Sequence, residues 1–236
     1  MKELQVNKRK GEEDEEEGLG RMKRRWGEVG EGVPDIKLAI EELSQVKPEE
    51  KKVSTMAFLC VSNLLLQVID KIGPTMAVLR RDVQSNIERL ERCYISNPSV
   101  YYDLVEIMKK EVEEGTARKG ESSSRAIVWL TRSLDFSVAF VEGLENDPES
   151  SLEQLVEESY TITLKPSHGW ISSAAYKVAL KLLPDRKTFI NLVLGHGQES
   201  NTLKGDIQTL VSLLQPLLNE IHALLRGFRL DKLKSA

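Results

Sequence analysis

From Asp35 onward, apolar residues return every three or four positions, the spacing that lines one face of a helix. Ile36, Ala39, Ile40 and Leu43 mark a short amphipathic helix ahead of a polar linker at 47–54. Residues 56–72 read as a strongly apolar helix that Gly73-Pro74 ends. The next helix, 75–93, carries Met76, Leu79, Val83, Ile87 and Leu90 on one side. After the Asn97-Pro98 turn, 100–114 is predicted helical, with Tyr101, Leu104, Val105, Ile107 and Met108 inward. A Gly- and Ser-bearing loop at 115–124 precedes a long helix over 125–144, and Ser151 is placed to cap a helix running to Leu164. Residues 166–169 interrupt it, helices follow over 170–183 and 185–193, and Gly195-His196-Gly197 forms a loop. The last helix covers 202–226, with a kink expected at Pro216. No alternating run bounded by turns argues for a sheet, and no internal repeat shows. The expected class is all-α.

The first 34 residues break this pattern. A basic cluster (Lys8, Arg9, Lys10), the acidic run 12–17 and a second basic cluster (Lys23, Arg24, Arg25) leave too little apolar surface to offset ordering entropy. Residues 1–34 are therefore expected to be a disordered charged leader, and 35–236 the folded domain. The two basic clusters also loosely fit a bipartite nuclear import signal. Across 236 residues, 40% are apolar, enough for a sizeable core. A formal net charge of −4 supplies no basic footprint, so a nucleic-acid partner is not expected. Cys60 and Cys93 show neither metal-ligand spacing nor a disulfide framework, which favours a reducing compartment. The amino terminus lacks the apolar run of a signal peptide. Ser62, Asn63, Gln67, Asp70 and Lys71 interrupt the greasy stretch 56–72, which reads as a buried helix and not a membrane span. A cytoplasmic monomer is expected.

Three places hold candidate chemistry. Asp82, Asn86 and Arg89 stand at i, i+4 and i+7 and share one helix face. Together they offer a carboxylate acceptor, an amide that donates and accepts, and a planar cationic donor, a set suited to a polyhydroxylated or amide-bearing ligand. The plainer reading is a solvated face with an internal ion pair. Arg125, Trp129 and Arg132 share a second face, where the indole is either core filler or a flat surface for a sugar ring. His168 precedes Gly169 and Trp170 at a helix start, where a lone histidine is either a structural hydrogen-bonder or a ligand group. Catalytic patterns are missing. The histidines at 168, 196 and 222 form no His/Cys cluster for zinc, and the 195–197 loop lacks the lysine and serine of a phosphate loop. No Gly-x-Ser-x-Gly elbow occurs. No enzyme, metal or cofactor is expected.

Taken in order, the block Val68 to Leu90, the run Trp129-Leu130-Thr131-Arg132 and the run Leu164-Lys165-Pro166-Ser167-His168-Gly169-Trp170 resemble the glycolipid transfer protein family. The resemblance spans roughly residues 55–225 and looks closest to plant members. It implies a two-layer α-helical sandwich enclosing an apolar lipid pocket with a headgroup site at its mouth. It further implies that Asp82 and Asn86 bond the sugar and the ceramide amide, Trp129 stacks on the first sugar, and His168 donates to the ceramide carbonyl. Arg89 stands where family members often place lysine, Arg125 and Arg132 are possible secondary headgroup contacts, and Trp170 would face the membrane. A closed apolar sheath is what such cargo needs, because exposing its chains to water costs roughly 0.8 kcal/mol per CH₂. Residues 230–236 differ from the tyrosine-bearing tail of animal members.

Members selective for ceramide phosphate generally carry a basic residue where this chain has Trp129. The expected function is therefore non-enzymatic intermembrane transfer of a simple glycosylceramide (glucosylceramide being the simplest), through transient contact with membrane surfaces. Arg89, Arg125 and Arg132 keep a ceramide-1-phosphate transfer protein as the alternative, since a guanidinium fork suits phosphate. A sphingolipid sensor read by a partner protein, and a helical interaction module without ligand, are the other classes.

Overall fold

The computed structural model describes residues 36–45, 52–194 and 199–235. The expected leader at 1–34 and the 195–197 loop lie outside them. Nine α-helices occur among the described residues: α1 (Ile36–Ser44), α2 (Thr55–Ile72), α3 (Ala77–Ser96), α4 (Leu104–Glu113), α5 (Ser123–Asn146), α6 (Leu152–Ile162), α7 (Trp170–Leu180), α8 (Arg186–Leu194) and α9 (Glu199–Gly227). Short 3₁₀ turns, Pro74–Met76 and Lys165–Ser167, precede α3 and α7. The fold is all-α. Its one sheet-like contact among the described residues is an isolated antiparallel bridge between Ser54 and Asp103.

Local chemistry sets the boundaries. The Ser54 hydroxyl accepts from the Ala57 N–H to open α2, and Gly73, at φ 100°, closes it. Helix α4 begins at Leu104 and not at Val100, because Asp103 caps it through the Val105 N–H and also accepts from the Val53 N–H. Residues 100–102 form a turn ahead of that cap. Helix α5 starts before Arg125: Ser122 caps it, and the Glu111 carboxylate takes the N–H groups of Ser123 and Ser124 at 2.8 and 2.7 Å. A negative charge there also complements the helix dipole. Ser151 and Gln154 form a reciprocal capping box on α6. Helix α7 stops at Leu180, three residues short of the predicted end, and Pro216 lies inside α9.

The helices pack in two layers. Helix α3 lies between α2 and α5, α1 rests on α2 and α9, and α9 also reaches α5. The larger apolar cluster joins α1 to α5 with α9 and holds Phe58, Leu59, Ile87, Leu90, Met108 and Leu218 with almost no exposure. By length and apolar content α2 is the one membrane-span candidate among the described residues, and half of it is buried in this packing. A smaller, aromatic cluster joins α5, α6 and α8 around Phe140, Leu155, Val156 and Phe189, with Phe136, Tyr176 and Leu180 partly covered against it. Where α5 meets α6, a Cβ at Gly143 would stand 3.2 Å from the Leu155 Cδ2, so the leucine end would have to shift slightly. Helix α7 has no buried residue although its composition is largely apolar. Urea unfolding should show Leu90→Ala destabilised by about 3 kcal/mol, whereas Val78→Ala, at an exposed site, should change stability by less than about 0.5 kcal/mol.

Candidate functional site

On α3 the predicted face exists, but its ion pair has a different partner. Asn86 is 6% exposed. Its side-chain N–H₂ donates to the Asp82 carbonyl at 2.9 Å, and its Oδ1 accepts from the Arg89 Nη1 at 3.3 Å. Arg89 pairs with Glu121 on the α4–α5 connection at 3.3 Å, and not with the Asp82 carboxylate. Its Nε–H is buried with no hydrogen-bond partner, an open donor beside the Asn86 amide. The Asp82 side chain is left accessible at the surface. Partial desolvation raises its pKa above the ordinary carboxylate value, while the Arg89 charge pulls the other way.

The second half of the site is built on α5 and on the connection between α6 and α7. Trp129 is half-buried, with the Arg132 guanidinium 4.7 Å and the Arg125 guanidinium 5.9 Å from its ring centroid. The 3₁₀ turn Lys165–Ser167 brings His168 to a centroid distance of 6.0 Å from the same ring, tilted by 45°. The His168 Nδ1 lies 3.3 Å from the Tyr160 hydroxyl, and Tyr160 stacks on Tyr176 at 3.5 Å. Desolvation, then the Arg132 charge, lowers the His168 pKa, so the ring is neutral at pH 7. The Tyr160 hydroxyl also donates to the Ser173 Oγ at 3.4 Å, so His168, Tyr160 and Ser173 form one polar chain between α6 and α7. Desolvation, with Glu157 adding to it, pushes the Tyr176 hydroxyl up to about 12. Helix α3 packs directly on α5, so the two halves occupy neighbouring helices. Trp170 stands apart, 80% exposed on the first turn of α7 beside the exposed Ile171.

The residues that the sequence did not single out are Glu121, Tyr160 and the carboxyl-terminal strap. After α9, Arg229 at φ 57° turns the chain, and the Leu230 N–H bonds the Leu225 carbonyl at 2.8 Å. The strap then runs back along α5. Arg132 donates from Nη1 to the Leu233 carbonyl and from Nη2 to the Asp231 carbonyl, both at 2.7 Å. Arg125 reaches the Lys234 carbonyl at 3.2 Å, and Arg118 the Arg229 carbonyl at 2.8 Å. Arg125 and Arg132, expected as secondary headgroup contacts, thus direct these donors to main-chain oxygens beside Trp129. Beyond Arg132 lies a cleft of about 460 Å³ lined by Asp135, Glu142, Gln215 and His222 among others, with Asp135 and His222 paired at 2.9 Å. Among the described residues no group of three or more His, Cys, Asp or Glu could hold a metal ion.

The raised pKa of Asp82 carries a stability consequence. The folded chain binds this proton more tightly than the unfolded one, so ionisation lowers stability as pH rises through the carboxylate range. Asp82→Asn should therefore melt above the parent at about pH 7, with the gap closing toward about pH 3. Thermal melts across pH check this, and a gap independent of pH contradicts it.

Comparison with known proteins gives the family and the fold. The family model for Glycolipid transfer protein (GLTP) matches residues 53–195. Glycolipid transfer protein 2 of Arabidopsis thaliana is 48% identical over 208 residues, which cover 85% of this chain and 93% of that protein. Glycolipid transfer protein 3 of the same plant is 44% identical over 219 residues, covering 90% and 94%. Among solved structures, FAPP2, described as selecting simple glycosphingolipids using the GLTP-fold, matches at TM-score 0.74 and 25% identity over 83% of this chain and 95% of its own. Human ceramide-1-phosphate transfer protein, bound to 12:0 ceramide-1-phosphate, shares the fold at TM-score 0.73 and 20% identity over 86% and 100%. This chain belongs to the glycolipid transfer protein family, whose members carry lipids and are not enzymes.

Proposed function

We propose that the chain moves a simple glycosylceramide between membrane surfaces, as a monomer on the cytoplasmic side, extracting one lipid and releasing it elsewhere without covalent chemistry. One observation carries this reading: the centre of the site on α5 is an indole, Trp129, with the His168 imidazole beside it. An aromatic face suits the C–H face of a sugar ring, and an imidazole N–H suits an amide carbonyl. Arg132 lies over the indole, so the sugar takes the remaining accessible part of the ring. On α3, the accessible Asp82 carboxylate accepts from sugar hydroxyls, and the Asn86 amide meets the ceramide amide. The hydrocarbon chains enter the aromatic cluster between α5, α6 and α8, where Phe136, Tyr176 and Leu180 are only partly covered. Helix α7, apolar but without a buried residue, forms the movable side of that compartment. Trp170 and Ile171 dock it on the bilayer interface, where an amphipathic indole is favoured.

Ceramide phosphate is the second reading, and the unpartnered Nε–H of Arg89 supports it, because a guanidinium with open donors suits a phosphate oxygen. Vesicle-to-vesicle transfer decides between them. Fluorescent glucosylceramide should move faster than fluorescent ceramide phosphate, and Asp82→Val and Trp129→Ala should each slow glucosylceramide transfer by about tenfold or more, the worth of one polar or stacking interaction. Normal transfer by both variants overturns the site, and preference for ceramide phosphate overturns the headgroup. Trp170→Ala should lower the transfer rate by about threefold to tenfold, while affinity for glucosylceramide in detergent micelles is unchanged. A change in micellar affinity would place Trp170 in the lipid site.

A further inference from the structure

Residues 230–235 have no counterpart in the reading of the headgroup site above, yet they touch it at both ends. Arg125 and Arg132 hold the main-chain carbonyls of Asp231, Leu233 and Lys234, and Arg118 holds that of Arg229 in the turn before them. At the far end, the Ser235 N–H donates to the Ser167 carbonyl at 3.0 Å, and the Ser235 hydroxyl accepts from the Gly169 N–H at 2.9 Å. Gly169 is the N-cap of α7 and has no side chain to satisfy groups at that helix start. The strap thus bridges the arginine row of α5 to the two residues that flank His168. Leu230, 1% exposed, anchors its root in the main core.

We propose that this strap is a specificity-determining part of the headgroup site, one that disfavours a phosphate-bearing sphingolipid and fixes the position of His168. The proposal rests on the sphingolipid-carrier function and assigns its discrimination to the strap. A phosphate is gripped best by both terminal nitrogens of one guanidinium. At Arg132 both of those nitrogens already donate to peptide carbonyls, 2.7 Å away each. A phosphate arriving beside Trp129 has to displace the strap before it can use that fork. A sugar headgroup makes no such demand, since its hydroxyls bond Asp82 and its ring lies on Trp129. The seated strap also presents carbonyl oxygens near the site, and their partial negative charge opposes an anion while accepting from hydroxyls. Removing the strap leaves Arg132 with an open fork next to Arg125, two cations that a phosphate would then neutralise.

The test measures transfer of glucosylceramide and of ceramide phosphate between phosphatidylcholine vesicles by the intact chain, by a chain ending at Leu230, and by Ser235→Pro. The intact chain should favour glucosylceramide. The shortened chain should shift the ratio of the two rates toward ceramide phosphate by about tenfold, the worth of one bidentate guanidinium–phosphate pair. Ser235→Pro removes both hydrogen bonds of Ser235 and leaves the remaining strap in place. It should shift the ratio in the same direction by about twofold to threefold. Circular dichroism establishes whether the shortened chain is folded, and if it is not, Ser235→Pro decides alone. A ratio equal to that of the intact chain in every folded variant overturns the proposal. An intact chain that moves neither lipid overturns the carrier function instead, so the two failures are distinct. General damage to the fold would slow both lipids together and leave the ratio where it was, which also counts against the strap.

Discussion

An arginine that is 7% exposed has to find acceptors within the protein, and Arg132 organises much of this molecule around that need. Desolvation lowers its pKa, yet it stays charged because the reference value is so high. Two peptide carbonyls of the carboxyl-terminal strap satisfy its fork. It lies over the Trp129 ring, its charge helps lower the His168 pKa, and it lines the cleft that contains the Asp135–His222 pair. One buried cation therefore ties together the aromatic platform, the imidazole and the chain terminus. Apolar packing alone would place these groups near one another without fixing their orientations, because dispersion contacts have little directionality.

The fold was largely legible in the chain. Periodicity located every helix from α1 to α9, and serine caps such as Ser151 marked real starts. The errors have local causes. Val100 to Tyr102 have helical-looking neighbours, but Asp103 accepts from both Val105 and Val53, and that second bond comes from a segment fifty residues away. The α5 start was missed by two residues because its stabilising carboxylate, Glu111, lies on the preceding helix. Periodicity reports which face is apolar and is silent about which distant side chain will reach a helix end.

The site was legible in part for the same reason. Spacing alone put Asp82, Asn86 and Arg89 on one face, and Arg125, Trp129 and Arg132 on another, as the structure has them. His168 stood out as an imidazole beside a glycine and an indole, while the membrane-facing role of Trp170 came only through the family resemblance. The Arg89–Glu121 pair and the strap were not readable, since they join residues 32 and 99 to 109 positions apart. The strap is invisible for a deeper reason. Its contribution is made mostly by main-chain carbonyls, which every residue has, so no side-chain pattern announces it. Tyr160 had a weak signal, eight residues before His168 on a helix whose turn leads back to it.

The stacked pair Tyr160 and Tyr176 bears on how the carrier moves. Tyr160 is on α6 and Tyr176 on α7, so the stack ties together two helices joined by the Lys165–Ser167 turn and the His168–Gly169 connection. Opening the stack costs about 1 kcal/mol, small enough to be crossed often at ambient temperature. Because Tyr160 is also the residue whose hydroxyl meets His168, parting the stack also disturbs the His168 ring. Any shift of α7 relative to α6 is thereby felt at the His168 ring as well as at the aromatic cluster.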